Sequence, residues 1–248
     1  MRNLLLALGA GVIVLAALFA SRLLGLGEAS VPAVLVVTAV YYFLARRTFR
    51  QVEAIFQTSA LSLQTAPPKF ELALSTLEKG YAFASQQFGV RSQVDTQMGV
   101  ILFLKGDNNK ALPHLKRSLG FGHWLGAAML AVIYYKKKDP DEMRKTMDIV
   151  VKRAKKQSLA WCLYGYLLTQ LGDREAALRV LADGVKKTGD DTKVKEALLA
   201  VQNDRKIKMR GYKEQWYQFQ LERPPVEYQR MAVGGHAGGK AARRGRWS

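Results

Sequence analysis

Residues 161–184 read WCLYGYLLTQLGDREAALRVLADG. Gly172-Asp173 divides this stretch into two halves that share one periodicity. Before it, Trp161, Tyr164, Gly165 and Leu168 recur at spacings of three and four; after it, Ala177, Leu181 and Gly184 do the same. That spacing gathers apolar side chains on one face of a helix, so the stretch predicts two short helices joined by a tight turn. Gly165 and Ala177 are small where the two helices must approach closely, and the large residues beside them fill the remaining space.

Working outward, two further turns keep the same phase. Lys105-Gly106-Asp107 lies between Met98, Gly99, Leu102 and the pair Ala111, Leu115; Lys138-Asp139-Pro140 lies between Leu130, Ala131, Tyr134 and the pair Met143, Met147. The period is about thirty-four residues, and the region resembles the tetratricopeptide repeat, whose helix pairs carry this large-small pattern. The first copy has Asp95 where that family places an aromatic, and the second has Met143 and Met147 in place of alanine and an aromatic. The resemblance implies an α-solenoid of about three helix pairs. A single pair cannot bury its apolar face alone, so at least three must stack. Thr192 to about Lys208 is expected as the capping helix. Phe70 to Phe88 is expected as an amphipathic helix with Leu74, Leu77, Tyr81 and Ala84 on one face, belonging to a degenerate leading repeat.

Toward the amino terminus the composition changes. Leu4–Ala20 contains no charge, and counted from Asn3 to Ser21 it is long enough, at about 1.5 Å per residue, to cross a hydrocarbon core. A shorter apolar run, Val31–Ala45, follows, with Pro32 expected in a first helical turn and Gly25, Gly27 and Ser30 in the connection. Tyr41 and Tyr42 suit an interface. A cleaved signal peptide is the rival reading of the first run; a charged region of Arg2 alone, a long apolar core and a second run immediately after it argue against that. Arg2 flanks one end of the hairpin and Arg46, Arg47 and Arg50 the other, so both termini are expected in the cytoplasm, by default beneath a bacterial inner membrane. Pro67-Pro68 ends whatever helix continues from Arg50.

The expected architecture is therefore all-α: a transmembrane helical hairpin (1–50), a helical linker with a degenerate leading repeat (51–91), the repeats with their capping helix (92–210), an aromatic-rich segment (211–232) and a basic tail (233–248).

No enzymatic chemistry is visible in the chain. Cys162 is the only cysteine, so neither an intrachain disulfide nor a thiolate zinc site can form. His114, His123 and His236 show neither metal-ligand spacing nor a carboxylate partner in helical register, and phosphate-binding and nucleophile-elbow motifs are missing. Gly234–Gly239 follows no strand and opens no helix, which marks it as tail. The expectation is a binding protein without catalytic residues, metal or cofactor.

The family resemblance implies a partner in the concave groove formed by the first helix of each pair. Its positions fall on Thr96, Val100 and Phe103 in the first copy, on Ala128, Val132, Tyr135 and Lys136 in the second, and on Cys162, Tyr166, Thr169 and Gln170 in the third. Where members that clamp a terminal carboxylate carry lysine and asparagine, this chain has apolar or small residues, which suits an apolar or aromatic protein segment. Core packing is the competing role for several of these residues.

A formal net charge of +18 favours anionic partners. Lys137, Lys138, Lys152, Arg153, Lys155 and Lys156, with Arg243, Arg244 and Arg246 in the tail, are candidate contacts for anionic headgroups. The same residues support an alternative function in nucleic-acid or ribosome binding, although the chain carries no recognised nucleic-acid fold. Tyr212, Trp216 and Phe219 share a helical face and are suited to packing on the chain itself or on a partner.

Overall fold

The computed structural model describes residues 1–21, 25–65, 67–223 and 225. Those residues are all-helical, with no strand among them, and form two compact units, Met1–Leu130 and Ala131–Ser248.

In the first unit, α1 (Arg2–Ala20) and α2 (Leu26–Leu63) form a hairpin, and both are long and apolar enough to cross a membrane. Their contact is made by small residues. Ala7 and Ala29 are fully buried, and a Cβ on Gly11 would meet Val37 Cγ2 at 2.2 Å. The large side chains point the other way. Leu5, Ile13, Val34, Leu35 and Phe43 are exposed, the arrangement expected of side chains that face an apolar medium.

The second helix differs from the sequence expectation. It begins at Leu26, so Gly27 and Ser30 lie inside it and Pro32 sits two turns in. Ser30 Oγ donates to the Gly27 carbonyl at 2.7 Å, holding that first stretch in helical form. Beyond the apolar run, α2 continues without a break to Leu63, 38 residues in all. At about 1.5 Å per residue this is a rod of about 57 Å. Its second half is the seat of the domain, where α3 (Phe70–Glu78) folds back on it and Ser59 Oγ donates to the Ala73 carbonyl at 3.0 Å.

The helix expected over Phe70–Phe88 stops at Glu78 and tightens into a 3-10 turn, Lys79–Phe83. Gly80 lies there against α4 (Val90–Lys105), where a Cβ would come within 2.8 Å of Val94 Cγ2. Next come α5 (Asn108–Ser118) and α6 (Trp124–Lys136), with the division between the units inside α6. Gly99 brings α4 and α5 together; a Cβ there would lie 2.5 Å from Leu115 Cδ2.

The second unit contains α7 (Pro140–Arg153), α8 (Ser158–Gln170), α9 (Arg174–Thr188) and α10 (Thr192–Gln202). The α8–α9 pair repeats the glycine device: a Cβ on Gly165 would lie 2.8 Å from Leu181, and one on Gly184 would lie 2.9 Å from Trp161. Met143 and Met147 fill the buried face of α7. The capping helix is shorter than expected, ending at Gln202 instead of Lys208. Asp204 turns the chain at φ +53°, and Arg174 donates to the carbonyls of Val201 (3.1 Å) and Gln202 (2.8 Å), satisfying groups that a longer helix would have used. A 3-10 turn, Met209–Tyr212, and α11 (Glu214–Tyr217) follow.

The three turns anticipated from sequence share one construction. Asp107, Asp139 and Asp173 each cap the following helix, accepting from the backbone N–H three residues on, at 3.2, 3.2 and 3.0 Å. The residue before each aspartate is left-handed: Gly106 at φ +93°, Lys138 at +59° and Gly172 at +81°.

Only Lys138 pays for this geometry with a Cβ, at about 1–2 kcal/mol in the left-handed region. Lys138→Gly is therefore expected to raise stability by up to about 1 kcal/mol, while Gly165→Leu lowers it by about 1–3 kcal/mol or more through overpacking. Thermal melts followed by circular dichroism on the full chain in detergent check both; a Gly165→Leu protein melting like the parent would contradict the close α8–α9 contact.

Candidate functional site

The groove positions divide by exposure. In the first unit Thr96, Phe103 and Ala128 are buried and Val100 is half-buried. Thr96 is occupied in helix packing: its methyl lies where a Cβ on Gly126 would come within 2.9 Å, and its hydroxyl donates to the Ser92 carbonyl at 2.8 Å. In the second unit Val132 is fully buried, Tyr135 half-buried and Lys136 exposed. A buried side chain cannot touch a partner without rearrangement, so Thr96, Phe103, Ala128 and Val132 serve as core in this conformation.

The third copy is different, because the chain's own carboxyl-terminal segment covers part of it. Tyr212 donates from its hydroxyl to Cys162 Sγ at 3.3 Å, and Trp216 meets the Tyr166 ring edge-on with centroids 4.9 Å apart. Tyr212, Trp216 and Phe219 are all buried. They do not lie on one continuous helix as the sequence suggested, because Lys213 at φ +51° separates the 3-10 turn from α11. Trp216 Nε1 is buried without a hydrogen-bond partner among the described residues. Burial pushes the Cys162 thiol up to about 11, so it is a neutral packing group and not a thiolate nucleophile.

Beyond Trp216 the third copy opens into a recess of about 420 Å³ lined by Tyr166, Thr169, Gln170, Arg174, Ile207 and Glu222, among others. Three of the expected groove residues, Tyr166, Thr169 and Gln170, thus meet at one concave surface. The candidate headgroup contacts Lys137, Lys138, Lys152, Arg153, Lys155 and Lys156 are all exposed on the second unit. Arg243, Arg244 and Arg246, like the whole basic tail, lie outside the described residues.

One constellation was not anticipated. Asp95, in the position where an aromatic was expected, is buried and collects three partners: Tyr81 donates to its Oδ1 at 2.7 Å, His114 Nδ1 lies at 2.8 Å, and Arg117 donates from Nη2 at 2.8 Å. The carboxylate partner denied to His114 on helical register therefore comes from a neighbouring helix. Burial alone would raise the Asp95 pKa, but the hydrogen bonds from Arg117, Tyr81 and His114 outweigh it and hold the carboxyl below its ordinary range. The same surroundings push the Tyr81 hydroxyl well above its usual value, burial first and the hydrogen bond to Asp95 second, so it stays a donor. No group of three or more metal-ligating side chains occurs among the described residues.

Compared with known proteins, the chain matches no family model, no curated protein and no solved structure.

Asp95→Asn is expected to cost about 1.5–3 kcal/mol, the range for hydrogen bonds to charged groups, because the half-exposed Arg117 can recover water. A carboxylate with a lowered folded pKa contributes stability above the unfolded value of about 3.9 and loses it as pH falls through the folded pKa. Melting temperatures at neutral and acid pH should therefore differ less in Asp95→Asn than in the parent; an unchanged difference would mean that Asp95 is not charged in the native state.

Proposed function

We propose that the chain is a membrane-anchored scaffold that holds a protein partner at the cytoplasmic face of the membrane, without catalysing a reaction. The observation that carries this reading is the unbroken course of α2. One helix has exposed apolar side chains along its first half and serves as the seat of α3 along its second. That arrangement suits a folded domain fixed to a bilayer.

The resemblance of residues 92–190 to tetratricopeptide repeats, together with three turns of one construction, supports an α-solenoid whose business is binding. Within it the recess beside Tyr166, Thr169 and Gln170 is the best-supported docking place, with the half-buried Tyr166 ring offering apolar surface to an aromatic or aliphatic side chain. Contact with nucleic acid through the exposed lysines of α7 and the tail is the second reading, favoured by the net charge of +18.

A photoreactive residue at Gln170 is expected to yield one discrete protein adduct in intact membranes, whereas the same residue at Lys152 yields none. The Gln170 adduct should survive raised salt, since apolar contacts are not screened. An adduct arising only from Lys152, and lost with salt or nuclease, would replace the scaffold reading with nucleic-acid binding. Reporter fusions after Arg50 and at Ser248 should both read as cytoplasmic; an extracytoplasmic signal from either would overturn the hairpin topology.

A further inference from the structure

The first turn of α1 does not end in solvent. The backbone N–H groups of Arg2 and Asn3 donate to the carbonyls of Ser85 (2.9 Å) and Gln86 (3.1 Å). The buried Asn3 side chain donates to Thr48 Oγ1 at 3.0 Å and to Gln87 Oε1 at 3.3 Å, and Gln87 donates in turn to the Tyr41 hydroxyl at 2.6 Å. These bonds fasten the loop 85–87 to the end of the apolar hairpin, at the level where Thr48 and the arginines Arg46, Arg47 and Arg50 lie on α2.

Phe88 follows that loop directly. It stands edge-on to Phe121 with ring centroids 4.5 Å apart, and both rings are exposed, at 50% and 65%. Beside them lies a recess of about 390 Å³ lined by Met1, Phe88, Arg91, Ser92, Arg117 and Phe121, with Asp95 as its floor. Arg117 uses Nε and Nη2 on Asp95, which leaves Nη1 for another acceptor. Arg91 is exposed and has no ion pair among the described residues. The two guanidinium groups exceed the one carboxylate, so the recess favours an anion.

Two exposed aromatic rings beside an anion-attracting recess, held level with the start of an apolar helix, match the chemistry of a phospholipid interface. Phenylalanine rings beside basic groups insert their apolar faces just below the headgroups, and anionic leaflets attract basic groups near their surface. We infer that this recess binds the phosphate of an anionic phospholipid, with Phe88 and Phe121 inserted among the acyl chains next to it. The inference rests on the membrane-anchored reading, because the hairpin sets the depth at which the loop sits. It assigns the membrane contact to the first unit, in addition to the lysines named from sequence.

The test uses the full chain with Cys162→Ser, reconstituted in vesicles of phosphatidylcholine with and without phosphatidylglycerol. A nitroxide is attached at Phe121→Cys or, in a separate protein, at Leu35→Cys, and its accessibility to oxygen is compared with that to a water-soluble nickel chelate. Both labels are expected to favour oxygen in the phosphatidylglycerol vesicles, Leu35 at greater depth. Omitting phosphatidylglycerol, or adding Arg91→Gln, should shift the Phe121 label toward the chelate and leave Leu35 unchanged. Because Phe121→Cys removes one ring of the pair, Phe88→Trp quenched by bromolipid checks the depth with two rings retained. A water-exposed Phe121 label and unquenched Trp, with Leu35 in lipid, would overturn the docking contact while sparing the anchor. Immersion independent of phosphatidylglycerol and of Arg91 would overturn phosphate recognition. A Leu35 label open to the chelate would overturn the anchor, and this inference with it.

Discussion

Several helix contacts among the described residues exist as they do only because one partner has no Cβ there. Gly11 admits Val37, Gly99 admits Leu115 and Gly165 admits Leu181, each at a separation a methyl group would violate. Close approach multiplies weak dispersion contacts, and interiors at native density have no slack from which to restore them once a spacer is inserted. The apolar hairpin and the α4–α5 and α8–α9 pairs therefore share one packing device. In the hairpin it turns the large side chains outward; in the other two pairs it draws Leu115 and Leu181 inward.

Around those contacts the turns set chain direction. An aspartate that caps the next helix, preceded by a left-handed residue, reverses the path in a few residues and satisfies a backbone donor that would otherwise be orphaned. Asp173 adds an ion pair with Arg144 at 2.8 Å, tying its turn to α7. This chemistry is local, and so it was legible: Gly-Asp and Asp-Pro announce a turn wherever they occur, and the glycines and alanines at helical spacing announce the contacts. The ends of the elements were less legible, because they depend on distant partners. The helix at Phe70 yields to a 3-10 turn where Gly80 meets Val94, and α10 stops where Arg174, from another helix, takes its last carbonyls.

The candidate sites show the same division more sharply. The repeat resemblance implied a groove that includes Tyr166, Thr169 and Gln170, and these three line one recess. The resemblance could not say that Thr96 and Val132 are sealed in the core, since burial depends on what stacks above a face. Asp95 was noticed as a missing aromatic; its meaning required Tyr81, His114 and Arg117, which come from other helices. The sequence of the aromatic segment is compatible with packing on the chain itself or on a partner; its destination over Cys162 and Tyr166 is a tertiary fact.

The unbroken α2 has a mechanical consequence. A linker of glycine or serine would let a domain wander beneath its anchor, whereas a continuous helix transmits angle. Spanning helices tilt to match bilayer thickness, at a modest cost for each ångström of mismatch. With α2 running on into the domain, such a tilt would swing the domain through the same angle, and the second half of the rod would act as a lever arm. In a chain anchored as proposed, the height of the first unit above the lipid surface would then follow the thickness of the bilayer.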